Sequence, residues 1–447
     1  MRKSKLFLTV LMLTTAGWAT AQKQWTLEDC IKQAMEHNLT LKQAHLNTAS
    51  AEEDVKGARS ALLPSVSAST NHSVGYHPWQ ESSSVTLSDG GTDGKVDKFY
   101  YNGSYGINMS WTVWDGNKNL NTLKQNKLSA EQAKLTTKVT ANSIQEEIAK
   151  YYVQLLYLKE AVKVSEQNLE TSLKNEERGK QMMEVGKMSK ADVAQLSAQR
   201  ATDEYNIVQA RANISLYLVQ LKQLLELDME TPFDVSDPTA SDELALREFP
   251  SVNTVFEKAL LTRPEIAASE LEVKSSELSV KMAKAGYYPT LSMTGGVGTS
   301  TNSMATTPWG KQMKSNFDAS AGLTLTIPIY DRRQTKTAIR KAKIMRQQAE
   351  IEVQNYRDDL YKTIESYWID AETNQQKLRA AIATEQSEQL SYDLLQEQFD
   401  LGLKNIVELM TGKDKLLTAQ QNKLQSKYQT ILAQQMLKFY AGERQNQ

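Results

Sequence analysis

Two segments of the chain alternate between apolar and small polar residues. In 101–113 the odd positions are Tyr, Gly, Tyr, Ile, Met, Trp and Val, and the even positions are Asn, Ser, Gly, Asn, Ser and Thr. In 317–329 the odd positions are Phe, Ala, Ala, Leu, Leu, Ile and Ile, whereas the even positions are Asp, Ser, Gly, Thr, Thr and Pro. The segments 65–76 and 290–297 alternate more weakly. This pattern predicts β-strands with one apolar face, which are typical of membrane barrels but also of a half-buried soluble sheet.

Aromatic residues lie at both ends of these segments. One group consists of Trp111, Trp114, Tyr287, Tyr288 and Tyr330, and the other of Tyr76, Trp79, Tyr100, Trp309 and Phe317. Aromatic belts of this kind mark the two water interfaces of a bilayer. We therefore expect the following candidate membrane-interface residues: Tyr76, Trp111, Trp114, Tyr288, Trp309, Phe317 and Tyr330.

Between the strands the apolar pattern changes to a heptad. Steps of 4, 3, 4, 3 and 4 separate Ile144, Ile148, Tyr151, Leu155, Leu158 and Val162. This spacing predicts coiled-coil packing within a long helix at about 117–181. A helix of about 65 residues, rising ~1.5 Å per residue, spans roughly 100 Å. Because the chain is polar, such a helix must pack against other helices along its length.

A tight turn follows each long helix. The first turn contains Gly186, Ser189 and Asp192, and the second contains Gly402, Asn405 and Glu408. Glycine readily adopts the left-handed conformation that ends a helix. Ser or Asn followed three residues later by an acid forms a capping box that starts the next helix. Both turns are therefore expected to be helical hairpins.

The sequence is duplicated. A shift of 216 residues superposes the halves without a gap, from Leu123 on Ile339 to Leu221 on Leu437. Upstream, a shift of 225 residues places Pro64 on Pro289. The extra length of the first copy therefore lies between Pro64 and Trp114. An insertion is tolerated where packing is undemanding, which predicts a loop tip.

The duplication divides the chain into two repeats joined by a linker. The expected boundaries are 22–227 for the first repeat, with strands at about 65–78 and 100–114, the long helix at about 117–181 and a returning helix at about 189–227; 228–250 for an irregular linker; and 251–447 for the second repeat, with strands at about 290–299 and 317–330, the long helix at about 333–398 and a returning helix at about 405–438. We expect the returning helix and the helix before the first strand to stack end to end beside each long helix.

The N-terminus has the pattern of an export signal. Arg2, Lys3 and Lys5 precede the apolar stretch 6–16, and Ala19-Thr20-Ala21 fits a small-x-small cleavage site. We expect removal of 1–21 and a mature chain that begins at Gln22; the alternative is a cytoplasmic N-terminal helix. Cys30 lies in a polar helical stretch, which is a poor context for lipid attachment.

Composition excludes several classes of function. The chain has 447 residues and a net charge of −1, so it has no basic surface of the size that nucleic acid requires. One cysteine excludes a disulfide framework, and the four histidines have no metal-binding spacing. Catalytic and phosphate-binding motifs are absent in the required context. We therefore expect no enzyme activity, no cofactor and no metal.

The predicted strands are too few to form a membrane barrel alone. Four strands cannot close, and open sheet edges are not tolerated in lipid. Two chains would supply eight strands, and side chains fill the interior of a barrel of that size. Three chains would supply twelve strands, which leave an open lumen. The polar face of Ser, Asn, Gly and Thr favours the water-filled trimer.

These features together resemble the TolC family of outer-membrane efflux proteins. The resemblance covers essentially the whole mature chain and includes the N-terminal segment 25–38, its repetition at 252–265, and Phe399-Asp400-Leu401-Gly402 before the second turn. It implies a mainly α fold with β-strands: long antiparallel coiled-coil helices in an α-helical barrel, and four transmembrane strands per chain in a trimeric, twelve-stranded β-barrel. It also implies an outer-membrane location with a long periplasmic extension, and as partners a periplasmic adaptor and an inner-membrane RND or ABC-type transporter.

The resemblance also implies roles for residues near the turns. A periplasmic gate is expected at Asp192, Phe399, Lys404 and Glu408. Adaptor docking is expected at the tip turns, with Gly186, Lys187, Ser189, Gly402, Leu403 and Asn405. Thr411 stands where the family often has another acid, so only a weaker acidic ring is expected. In the alternative interpretation, Asp192 and Glu408 are only helix caps and Lys404 is a solvated tip residue.

Two functions are consistent with these expectations. The first is a passive exit duct, the outer-membrane channel of a tripartite efflux or type I secretion system, gated at its periplasmic tip. The second is an exported trimeric coiled-coil protein that acts as an adhesin or spacer and has no through-pore. The two differ in whether the purified protein conducts ions across a bilayer.

Overall fold

The computed structural model describes residues 24–79, 83–86, 92–236 and 241–443. The expected signal peptide 1–21 and the mature N-terminus at Gln22 lie outside this part of the chain. In chain order the elements are β1 Gln24–Trp25, α1 Leu27–His37, α2 Leu39–Ser60, β2 Ser65–Tyr76, β3 Ser83–Thr86, β4 Thr92–Val96, β5 Phe99–Trp114, α3 Lys118–Glu184, α4 Lys190–Leu224, β6 Asp234–Val235, α5 Asp242–Ala245, α6 Val252–Thr262, α7 Pro264–Ala285, β7 Thr290–Asn302, α8 Trp309–Ser315, β8 Asp318–Thr326, α9 Gln334–Asp400 and α10 Ile406–Tyr440.

The chain forms two compact units, and each draws on both repeats. The helical unit contains the described residues up to Ala44, Thr137–Pro264, and those from Arg357 onward. The sheet unit contains His45–Thr136 and Glu265–Tyr356. No helix in the described part of the chain has an apolar stretch long enough to span a membrane.

Corresponding helices of the two repeats have equal lengths. Both α3 and α9 have 67 residues, and both α4 and α10 have 35. Similarly, α1 and α6 have 11 residues each, and α2 and α7 have 22 each. These equal lengths support the duplication inferred from the two sequence shifts.

The returning helices end against the junctions between the short helices. In the first repeat, Asn38 lies between α1 and α2, and its Nδ2 donates to the carbonyl of Leu224 at 2.9 Å. In the second repeat, the Arg263 guanidinium lies 3.9 Å from the ring centroid of Tyr440, at the end of α10. Each returning helix therefore ends beside the residue that joins the two short helices of its own repeat.

A four-stranded antiparallel sheet, in the order β2-β5-β7-β8, forms the sheet unit. The register pairs Val66 with Met109, Ile107 with Val297, and Met293 with Leu323. Because side chains alternate across a sheet, the apolar odd positions of β5, β7 and β8 share one face with the even positions of β2. The opposite face carries Ser, Asn, Thr and Gly along the four strands, with Tyr100 and Asp318 as its two exceptions.

Two local irregularities shape the ends of these strands. A bulge between Thr112 and Trp114 brings Trp114 opposite Leu291, so an even-numbered tryptophan joins the apolar face. The last strand ends at Thr326, several residues before the expected end at about 330. Pro328 explains the difference, because proline has no backbone N–H to donate to a sheet.

The two repeats also differ in their connections between strands. The first repeat contains an additional hairpin, β3–β4, in the region where the sequence shift predicts an insertion. The second contains the short helix α8 instead. The linker is not wholly irregular, because β6 pairs in parallel with β1, and Gln375 and Gln434 each donate to the carbonyls of Ala245 and Arg247 around α5.

A glycine and a leucine exchange places between the two helical hairpins. On α3, a Cβ at Gly179 would lie 2.5 Å from Cδ1 of Leu196 on α4. On α10, a Cβ at Gly412 would lie 2.6 Å from Cδ1 of Leu395 on α9. The shift of 216 places Gly179 on Leu395 and Leu196 on Gly412. Each hairpin therefore has one leucine packed against one glycine at the same position. The returning helix α4 supplies the leucine in the first repeat, and the long helix α9 supplies it in the second.

This exchange generates a prediction about packing. Gly412→Leu should lower the melting temperature, because an overpacked site costs about 1–3 kcal/mol. Adding Leu395→Gly recreates the arrangement of the first repeat and should restore most of the loss. Circular dichroism melts of the single and double variants measure this. Equal melting temperatures for the single and the double variant would show that the residues at 395 and 412 do not compensate each other.

Candidate functional site: the two hairpin turns

The two turns have the same backbone conformation. Gly186 has φ of 74° and Gly402 has φ of 76°, both in the left-handed region. Lys187 N donates to the Met182 carbonyl at 2.8 Å, and Leu403 N donates to the Gln398 carbonyl at 2.8 Å. Gly186 and Gly402 donate to the carbonyls of Met183 and Phe399. These paired bonds form a Schellman motif in each repeat, as the glycines predicted.

A capping box starts each returning helix. Ser189 Oγ accepts from Asp192 N at 3.1 Å, and Asp192 Oδ2 accepts from Ser189 N at 3.2 Å. Asn405 Oδ1 accepts from Glu408 N at 2.9 Å, and Glu408 Oε2 accepts from Asn405 N at 3.3 Å. The two boxes confirm the predicted caps, and each stabilises the start of its helix.

Lys404 and Glu408 form an ion pair at the second turn. Lys404 Nζ lies 2.6 Å from Glu408 Oε1, and the two side chains are 38% and 40% exposed. The hydrogen bond from Lys404, followed by the one from the Asn405 backbone, lowers the pKa of Glu408. Within the described residues, no hydrogen bond or ion pair joins Asp192 to either member of this pair. One chain therefore unites Lys404 with Glu408 but leaves Asp192 in its own cap.

Phe399 is buried beside the turns rather than exposed on their surface. It is 3% exposed and belongs to a buried cluster with Leu196, Tyr392, Ile406, Leu409 and Leu416. Exposed apolar residues lie in the turns themselves: Val185, Leu401, Leu403 and Val407. In one chain, Phe399 thus packs α4, α9 and α10 together, while the turns present apolar side chains to solvent.

A buried ion pair lies above the second turn and was not predicted. Lys413 Nζ on α10 lies 2.5 Å from Asp203 Oδ2 on α4, and each side chain is 4% exposed. Ser172 on α3 donates to the same carboxylate at 2.6 Å and also contacts Lys413. Lys413 follows Ile406 by seven residues, and Asp203 follows Leu196 by seven. A charged residue at a heptad core position was the signal that could have revealed it.

The buried pair should be costly to break from one side. Lys413→Met leaves Asp203 buried without its cation and should destabilise the protein by about 3–5 kcal/mol. Combining Lys413→Met with Asp203→Leu removes both charges and should recover most of that stability. Thermal melts followed by circular dichroism measure both variants. If the single variant melts like the unmodified protein, the pair does not hold these helices together.

The family model described as outer membrane efflux protein matches residues 30–226 and 255–443. The chain belongs to the outer membrane efflux protein family. The two matched segments correspond to the two repeats and leave out the whole linker at 228–250.

Individual relatives are distant but extend over most of the chain. The outer membrane efflux protein BepC of Brucella suis is 24% identical over 95% of this chain and 87% of its own length. The outer membrane protein TolC of Escherichia coli is 20% identical over 98% and 86%. Among solved structures, the CmeC outer membrane channel of Campylobacter jejuni superposes with a TM-score of 0.76 at 20% identity, over 94% of this chain and 87% of that one.

The family confirms the expected fold class and location. This efflux protein has the fold of the outer-membrane efflux channels, with β-strands and long helices, and it resides in the outer membrane with a long periplasmic extension. The strand ends that lead into the long helices therefore face the periplasm. Trp111, Trp114, Tyr288 and Tyr330 lie at that end, and Tyr76, Trp309 and Phe317 lie at the other. Their role as interface anchors stays a prediction.

Proposed function

We propose that the chain is the outer-membrane exit duct of a tripartite efflux or type I secretion system. The observation that carries this proposal is the register of the sheet, which separates an apolar face from a face of small polar residues. An apolar face suits contact with lipid, and a face of small polar residues suits contact with water, as in a barrel with a water-filled lumen. The chain itself performs no chemistry in this role, and the energy for transport comes from the inner-membrane partner.

The open edges of the sheet support a trimer. β2 and β8 each have one neighbour in the four-stranded sheet, and an unpaired edge cannot remain in lipid. Pairing β2 of one copy with β8 of the next satisfies both edges. Eight strands would need interior side chains large enough to fill the barrel, whereas the polar face offers mainly Ser, Asn, Thr and Gly. Twelve strands, from three copies, leave that face lining a lumen.

The trimer can be tested by cross-linking across the edges. In a Cys30→Ala background, Ser69→Cys on β2 and Ser320→Cys on β8 should together give covalent trimers with a bifunctional maleimide. Either cysteine alone should give no species larger than a dimer. The same purified protein should conduct ions across a planar bilayer. A covalent trimer without conductance would favour the adhesin or spacer instead.

The periplasmic partners follow from the exposed residues of the turns. Val185, Leu401, Leu403 and Val407 present apolar surface at the end of both hairpins. A solvent-exposed apolar patch that is surrounded by polar residues is characteristic of a protein–protein contact. We assign this surface, with Gly186, Lys187, Ser189, Gly402 and Asn405, to docking of a periplasmic adaptor that links the duct to an RND or ABC-type transporter.

The gate is proposed at Asp192, Lys404 and Glu408, three copies of each, next to the packing provided by Phe399. Lys404→Ala with Glu408→Ala should raise single-channel conductance, because the ion pair and its contacts with neighbouring copies are lost. Glu170→Ala with Lys174→Ala is the matched control, since it removes an exposed pair of the same spacing at 2.7 Å on α3. Unchanged conductance in the first variant would remove the gate assignment.

The same pair makes the gate sensitive to acid. A carboxyl whose pKa is lowered in the folded state retains its favourable pairing above its usual pKa and loses it as pH falls through the lowered value. Conductance of the unmodified protein should therefore rise only at strongly acidic pH, below the usual range for glutamate. Glu408→Gln should show the raised conductance already at neutral pH, with no further rise from this group on acidification.

A further inference from the structure

The turn from strand to long helix has the same backbone in both repeats. Asp115 Oδ2 accepts from Asn119 N at 3.0 Å, and Asp331 Oδ2 accepts from Thr335 N at 2.7 Å. The two residues after each aspartate are left-handed, with φ of 68° and 66° at 116–117 and 52° and 66° at 332–333. The shift of 216 superposes the two turns residue by residue.

The residue types at this turn differ sharply. The first repeat uses Gly116 and Asn117, which adopt left-handed backbone at little cost. The second repeat places Arg332 and Arg333 in the same conformation, where an L-residue with a long side chain is strained. Retained backbone strain of this kind is concentrated at functional sites. The strained arginines therefore call for a function beyond making the turn.

Arg332 and Arg333 begin a basic segment. Seven basic residues and no acid occur in 332–346: Arg332, Arg333, Lys336, Arg340, Lys341, Lys343 and Arg346. The corresponding 116–130 of the first repeat has three basic residues, Lys118, Lys124 and Lys127. Arg346 pairs with Glu350. The other six are exposed, and no hydrogen bond or ion pair to a described residue engages their side chains.

The basic segment continues directly from the apolar face of the sheet. Leu323, Leu325, Ile327 and Ile329 follow one another at every second position and are 58–97% exposed in a single chain. Tyr330, also exposed, comes next and is followed by the turn. An apolar row, an aromatic residue and then arginines is the order expected where a membrane surface meets water. The turn lies at the periplasmic end of the strands.

We propose that Arg332 and Arg333, with Lys336 and Arg340 on the following helix turns, bind phosphate groups of anionic phospholipids in the periplasmic leaflet of the outer membrane. Lys336 and Arg340 are four residues apart on α9 and thus share one helix face. The guanidinium fork pairs with two phosphate oxygens, and clustered basic residues beside a membrane attract anionic lipid. The inference rests on the outer-membrane location and not on the proposed trimer or gate.

The first repeat supplies a variant that is compatible with the fold. Arg332→Gly with Arg333→Asn installs the residues that already form this turn at 116–117, so its melting temperature in lipid-free detergent should equal or exceed that of the unmodified protein. Arg332→Gln with Arg333→Gln removes the charges while keeping long side chains. Lys32→Gln with Lys42→Gln is the control, because it removes the same charge from exposed positions of the helical unit.

The experiment adds phosphatidylglycerol or phosphatidylcholine to the purified full-length protein in detergent. Melting temperature and the number of lipids retained in native mass spectrometry are measured. Phosphatidylglycerol should raise the melting temperature of the unmodified protein and of the lysine control, whereas phosphatidylcholine should not. Both arginine variants should lose most of that shift and retain fewer phosphatidylglycerol molecules.

Two results would overturn the proposal. An unchanged phosphatidylglycerol shift in both arginine variants would show that these side chains do not bind the lipid. An altered anion-to-cation permeability in planar bilayers, with the lipid shift intact, would instead place the arginines in the lumen, facing anionic cargo. If the Gly-Asn variant proves less stable in lipid-free detergent, the glutamine variant alone decides between these outcomes.

Discussion

Backbone hydrogen bonding in lipid is the constraint on which the rest of this structure depends. Every strand in a bilayer must have a neighbour on both sides, yet β2 and β8 have one each in the chain's own sheet. In the proposed duct, a chain with four such strands is incomplete by itself, and copies of the chain enclose its polar face. This requirement also explains the modest apolar content of 40%, because only one face of four short strands needs to match lipid.

Duplication supplies the repeated parts, and the differences between repeats show where each copy is used differently. Helix lengths are identical in the two halves, down to the 67 residues of α3 and α9. The Gly179–Leu196 and Leu395–Gly412 pairs fill the same space from opposite helices, so packing was conserved while the residues diverged. At the turn into the long helix the divergence does not conserve the fit between residue and structure. Gly116-Asn117 adopts the left-handed backbone at little cost, whereas Arg332-Arg333 is strained in it.

Much of this architecture could be predicted from sequence because it is periodic. Strand alternation, the heptad in α3, the two glycines and the capping pairs each depend on local spacing, and the structure places these elements within a few residues of expectation. The alternation continues through Ile329 and therefore predicts that β8 ends near 330. The strand ends at Thr326 instead, because Pro328 has no N–H to donate to the sheet. The Lys413–Asp203 pair does not follow from the apolar heptad pattern, because its partners are 210 residues apart and only the fold brings them together.

The candidate gate shows a different division between local and assembled structure. Asp192 is bonded only within its own cap, whereas Glu408 also pairs with Lys404, so within one chain only Glu408 makes an ion pair that requires an acid. The contributions of the ion pairs to stability indicate which contacts the proposed opening can break and which it leaves intact. Exposed pairs such as Lys404–Glu408 and Arg178–Asp400, the latter at 3.7 Å, contribute little each, whereas Lys413–Asp203 is buried and costly to divide. Below Asp203 and Lys413 the hairpins are held by the caps, by exposed pairs and by the buried apolar cluster around Phe399, so motion at the proposed gate has to disturb that cluster. Above that level, α3, α4 and α10 stay joined by the buried pair and Ser172.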